Sequence, residues 1–129
     1  QLKKLKNILK NNKERYDHLY QKLKSKFEVR KSPKDSVPNY DTFIFFEKNK
    51  KKRKNILKKI KKNKFGTKNL PDAVEWHCSA YWGHALSKRQ IKNSLKTKNL
   101  LFSAIAIPMN LKRTIKDYKK LAQDILSIN

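Results

Sequence analysis

The sequence predicts a mostly α protein: a small basic helical domain with an extended or helical polybasic arm and a possible short β segment. Three observations carry that reading. Apolar residues recur at steps of three and four near both ends of the chain, the spacing of helices with one face to bury. Prolines fall between these periodic stretches, where they interrupt rather than kink them. Between Lys48 and Lys64, eleven of seventeen residues are basic and none is acidic. The chain accordingly divides into an N-terminal amphipathic helix with its connector (1–40), a polybasic helix or arm (41–66) and a small helical domain (67–129).

In the first segment, Leu2, Leu5, Leu9, Asn12, Tyr16, Leu19 and Leu23 define a stripe that Ile8, Tyr20 and Phe27 widen. The helix is expected to dock on a partner or on the chain's own core, and Asn12 sits where a polar residue fixes register in a coiled coil. His18 falls beside the stripe as a boundary residue. Ser32-Pro33 and Val37-Pro38 end any helix, so residues 28–40 are expected to be an extended connector.

Asp41 can cap the next element. Phe43, Phe46, Leu57 and Ile60 keep helical spacing, which predicts one long helix over 42–64 stopped by Phe65-Gly66. The competing expectation is a strand at 42–46, because Phe-Ile-Phe-Phe has high β tendency. Leu70-Pro71-Asp72 then opens a helix over 71–82 that buries Val74, His77, Cys78 and Tyr81 and stops at Gly83. Ser87 and Gln90 fit a capping box that opens a helix over 88–98, with Ile91, Leu95 and Phe102 inward. The run Leu100 to Ile107 reads as the tail of that helix or as a buried strand. Asn110 is placed to cap a last helix over 111–127 that buries Leu111, Ile115, Tyr118, Ala122 and Ile125.

Charge bounds the function. The formal net charge is +24, from 34 basic residues against 10 acidic ones, and self-repulsion on that scale opposes a compact state until something neutralises it. The apolar share, 37%, is below the roughly 45–50% of ordinary domains, so the core is expected to be modest. Only five of the basic residues are Arg (Arg15, Arg30, Arg53, Arg89 and Arg113); the rest are Lys, which meets phosphate as a point charge rather than reading guanine with a fork. One cysteine allows no intramolecular disulfide. The longest largely apolar run, eight residues, is far short of the ~20 that cross a bilayer, so no membrane insertion is expected.

One cluster invites chemistry. Glu75, Trp76, His77, Cys78, Tyr81, Trp82 and His84 lie within ten residues. Their spacing matches no zinc pattern, and no oxyanion motif accompanies a Cys78–His84 pair. A core cluster with polar edges is the plainer expectation, with Trp82 the candidate to stack on an RNA base. No glycine-rich phosphate loop and no convincing carboxylate pair is present, so no enzyme, cofactor, metal or small-molecule substrate is expected.

The partner that fits this charge is a phosphate backbone, whose binding releases condensed counterions without needing any particular base. The residues expected to meet it are Lys48, the run Lys50, Lys51, Lys52, Arg53 and Lys54, then Lys58, Lys59, Lys61, Lys62 and Lys64, with Trp82, Lys88, Arg89 and Lys92 elsewhere. A small, very basic, helical chain is the composition of a structural ribosomal protein, which implies ribosomal RNA and neighbouring ribosomal proteins as partners. A start at Gln1 is consistent with a removed targeting peptide, so an organellar, mitochondrial ribosome is the expected setting, with the cytosolic ribosome and the nucleus as alternatives. The competing function is a DNA-binding helix-turn-helix, in which helices 71–82 and 88–98 would present Lys88, Arg89, Lys92 and Asn93 to a major groove.

Overall fold

Phe43 and Phe45 set the centre of the molecule. In the computed structural model, which describes residues 2–129, they lie two apart on a strand and are both fully buried. The long helix expected over 42–64 is therefore not formed: residues 42–46 are β, and the helical spacing of Phe43 and Phe46 gives way to the alternation of Phe43 and Phe45. The strand wins because it has a partner. Across an antiparallel ladder Phe43 faces Ile107 and Phe45 faces Ile105, and all four side chains are removed from water. Each such burial contributes about 1.5–3 kcal/mol relative to exposure.

The elements run α1 (Leu2–Leu23), β1 (Glu28–Val29), β2 (Thr42–Phe46), α2 (Lys50–Lys62), α3 (Val74–His77), a 3₁₀ turn (Ser79–Tyr81), α4 (Lys88–Asn93), α5 (Leu95–Ser103), β3 (Ala104–Pro108) and α6 (Ile115–Leu126). The chain is thus mostly α with a three-stranded antiparallel sheet of order β1-β2-β3. The sheet's Phe and Ile side chains share one cluster with Leu19 and Leu23 of α1, Ile56 and Ile60 of α2, and Leu121 and Ile125 of α6. All three sequence segments contribute to that core. On the outer edge of β3 the Ala106 N–H donates to the Leu70 carbonyl at 3.0 Å, which occupies part of an otherwise open edge.

α1 docks on this core by its second half. Leu19 and Leu23 are buried, whereas Leu5, nearer the start, is 45% exposed. Asn12 is buried with its Oδ1 unpartnered, and Arg15 ties the helix to the approach of α6 by donating Nε and Nη2 to the Arg113 carbonyl. The connector is extended in part: Glu28 and Val29 pair with Phe46 and Phe45, but the chain turns at Lys34 and Asp35, where the Ser36 N–H donates to the Pro33 carbonyl, and Tyr40 takes a left-handed φ of 55°.

The second half of the chain is more broken than its periodicity suggests. The helix expected over 71–82 is reduced to α3 and the 3₁₀ turn; Val74 and Cys78 are buried, but His77 is exposed. The helix expected over 88–98 is split at Ser94, and Leu95 and Phe102 are 43% and 46% exposed instead of inward. The ambiguous run 100–107 is both things in turn, helix to Ser103 and strand from Ala104. α6 starts later than expected: Thr114, not Asn110, is its cap, exchanging bonds with Asp117, and Leu111 lies outside the helix, 49% exposed. Asn110 instead accepts the Lys112 N–H at 2.9 Å in a local turn.

Candidate nucleic-acid interface

α2 holds the polybasic segment as a helix laid on the core, and the extended arm allowed by the sequence is not formed. Its start is built locally. Asn49 caps it, with Oδ1 accepting the Lys52 N–H at 3.0 Å, while Glu47 Oε1 accepts the Asn49 N–H at 2.8 Å. Its stop is a left-handed residue within a Schellman pair: the Lys64 N–H donates to the Lys61 carbonyl and the Phe65 N–H to the Ile60 carbonyl. Lys64 has φ 57°, so the reversal falls on a lysine and not on the expected Gly66.

Between these ends the helix has two faces. Arg53, Ile56 and Ile60, at i, i+3 and i+7, turn inward and are buried. The middle of the segment therefore has an inward face as well as a basic one. Lys51, Lys54, Lys58, Lys61 and Lys62 point outward and are exposed, as are Lys50, Lys48 and Lys64; Lys52 and Lys59 lie half-buried on the flanks. At a rise of 1.5 Å per residue, the outward lysines from 51 to 62 cover about 16 Å. Lys52 Nζ stands 5.6 Å from the Phe27 ring centre, so this flank also leans on the core.

No carboxylate answers this face. Among the described residues the ion pairs are Lys13–Asp17 and Lys68–Asp41, and none involves a cation between 48 and 64. Lys59, Lys61 and Lys62 complement the negative end of the α2 dipole, but the first turn has Lys50, Lys51 and Lys52 where acids would be favourable. An anion lying along the helix relieves both the mutual repulsion and this misplaced charge.

The basic surface continues onto α6. A cleft of about 210 Å³ between the end of α2 and the start of α6 is lined by Lys62, Lys64, Arg113 and Lys120, with Asp117. That carboxyl is held below its usual range, first by the Thr114 backbone N–H and then by the Thr114 hydroxyl. It is already engaged in capping α6, which leaves the cations as the free charges of the cleft.

The other expected site residues lie apart from this helix in sequence. Lys88, Arg89, Lys92 and Asn93 are exposed on α4, and the Ser87–Gln90 capping box forms as expected. Before them come only the single turn of α3 and the 3₁₀ turn, which depart from the two full helices of a helix-turn-helix. Trp82 is 39% exposed after the 3₁₀ turn, and Trp76, not chosen from the sequence as the stacking residue, is 81% exposed. Trp76, His77, Trp82 and His84 are thus exposed around a buried Cys78, with Tyr81 half-buried, and do not form the core cluster expected. Among the described residues no three His, Cys, Asp or Glu side chains gather to hold a metal, and no helix is long and apolar enough to cross a membrane.

Phe102 and Arg53, which meet beside α2, both depart from their expected places. Phe102, expected inward, stands half-exposed with the Arg53 guanidinium 4.9 Å from its ring centre. Arg53, expected among the outward cations, is buried; Ile56 and Ile60 at i+3 and i+7 are the signal in the sequence that marks its face as inward. No family profile, curated protein or solved structure matches the chain.

Proposed function

We propose that this chain is a structural RNA-binding protein of a ribosome, in which the outward lysine face of α2 lies along RNA phosphates while Ile56 and Ile60 hold the helix to the core. One observation carries the reading: five lysines occupy one exposed helical face, and no carboxylate is paired with any of them. Solvent alone leaves that face self-repelling, with only about 8 Å of screening at physiological salt. A phosphate backbone neutralises it and gains entropy from released counterions. Lysine in place of arginine suits contacts that position RNA without reading its sequence. The mitochondrial setting expected from the sequence is part of the proposal and is checked by cosedimentation with mitochondrial against cytosolic ribosomes.

The test is a salt titration of duplex RNA binding. Replacing Lys51, Lys54, Lys58, Lys61 and Lys62 by Gln should flatten the slope of log affinity against log salt by about three to five, near one unit per lost phosphate contact. The same change at Lys88, Arg89 and Lys92 should leave it nearly intact. If instead the α4 variant loses binding and one DNA duplex is preferred over random sequence, the DNA-reading alternative replaces this one.

A further inference from the structure

Arg53 is a buried cation without an anion. It is 8% exposed, its Nε has no hydrogen-bond partner, and Nη2 reaches only the Ala104 carbonyl, at 3.4 Å. Among the described residues no carboxylate pairs with it. The Phe102 ring compensates part of the charge, but an arginine removed from water and left unpaired is strongly unfavourable unless something else meets it.

The surroundings of Arg53 indicate the missing partner. It lines a cleft of about 390 Å³ together with Lys48, Lys50, Leu100 and Phe102, within the roughly 300–1,000 Å³ of small-ligand sites. Leu100 and Phe102 are 51% and 46% exposed, so the cleft has an unclaimed apolar and aromatic wall beside its cations. The cleft also lies at the N-terminus of α2, a thirteen-residue helix. Asn49 takes the N–H groups of Lys52 and Arg53, through its side chain and its carbonyl, which leaves those of Lys50 and Lys51 for an anion. Glu47 lines the same cleft, and with Oε1 holding the Asn49 N–H its other oxygen is an acceptor for an amine. A cationic end, an aromatic wall and one acceptor are the complement of a nucleotide: phosphate, base face and base edge.

We propose that this cleft receives one unpaired nucleotide of a bound RNA strand, with its base against Phe102 and Leu100 and its phosphate on Arg53, Lys50 and the first turn of α2. The inference rests on the RNA-binding reading above and adds a single-stranded specificity that the lysine face lacks.

Two RNA hairpins test it, identical except that one has a single 2-aminopurine bulge. The bulged hairpin should bind about tenfold tighter, with its fluorescence quenched by stacking. Phe102→Ala, at an exposed ring, should abolish the quench and the tenfold preference while leaving affinity for the perfect hairpin unchanged. Arg53→Met should likewise lower the preference for the bulged hairpin, read as the ratio of the two affinities. Equal affinity for the two hairpins with a steep salt dependence overturns the cleft and leaves the lysine face standing. Failure of both hairpins to bind overturns the two readings together. Free 2-aminopurine riboside monophosphate is a separate arm: saturation at micromolar concentration would assign the cleft to a free nucleotide and overturn its assignment to RNA.

Discussion

Tyr118 shows how a single polar atom ties separate elements together. Its hydroxyl accepts the Asn110 N–H at 2.7 Å and donates to the Pro108 carbonyl at 3.0 Å, joining the end of β3 to α6. Its ring meets Phe65 edge-on at 5.0 Å, just beyond the stop of α2. Tyr118→Phe keeps the ring but leaves both backbone groups unpaired, so it should cost about 1–3 kcal/mol in urea unfolding. Burial raises the Tyr118 pKa above its ordinary value, which the Asn110 N–H only partly offsets. The unfolded chain then loses this proton first. Stability from Tyr118 is complete below the unfolded value of about 10 and is lost as pH rises through the higher folded value. The Phe variant should show a shallower alkaline decline, and an unchanged midpoint with an unchanged decline would mean that these bonds do not stabilise the fold.

At the scale of elements, the stop of α2 separates what sequence can and cannot say. The sequence places the stop near residue 65 because glycine is the usual left-handed residue, yet the structure puts φ 57° on Lys64 and leaves Gly66 in ordinary backbone. Lys64→Gly should therefore stabilise by a few tenths to about 1 kcal/mol, since relief of left-handed strain exceeds the added freedom of the unfolded chain. Gly66→Ala should stabilise by about 0.4–1 kcal/mol, because no atom lies within 4 Å of the added methyl. Loss of stability in both variants would return the reversal to Gly66. Local signals of this kind were legible: the second half of the α1 stripe, the Ser87–Gln90 box and the buried face of Tyr118, Ala122 and Ile125 are all present. The β2 strand was less so, because its partner Ala104–Pro108 lies some sixty residues on and pairing is not a local property. The polybasic run was plain, but its two faces were not, since Arg53 resembles its neighbours until Ile56 and Ile60 fix which side is inward.

Among the described residues one hydrophobic cluster of sixteen buried side chains forms the core, and the chain as a whole carries a formal charge of +24. Hydrophobic burial holds the sheet against α1, α2 and α6, while the surface charges repel one another and oppose the same compact state. The two terms respond differently to solvent. Added salt screens the repulsion and should raise the melting temperature of the free protein, whereas a polyanion does so only by binding the folded state. If RNA takes the lysine face, duplex RNA at about 100 times its dissociation constant should stabilise by about 2.7 kcal/mol. For a chain of this size that is a rise of roughly 10 °C. Raising the salt should shrink the RNA-induced rise even as it stabilises the free protein, so the two melting curves converge. The variant with Gln at Lys51, Lys54, Lys58, Lys61 and Lys62 should start with a higher melting temperature, because repulsion is removed, and should gain much less from RNA. Calorimetry with and without RNA at two salt concentrations decides it: an RNA-induced rise of equal size in both proteins would place the phosphate contacts elsewhere on the basic surface, away from α2.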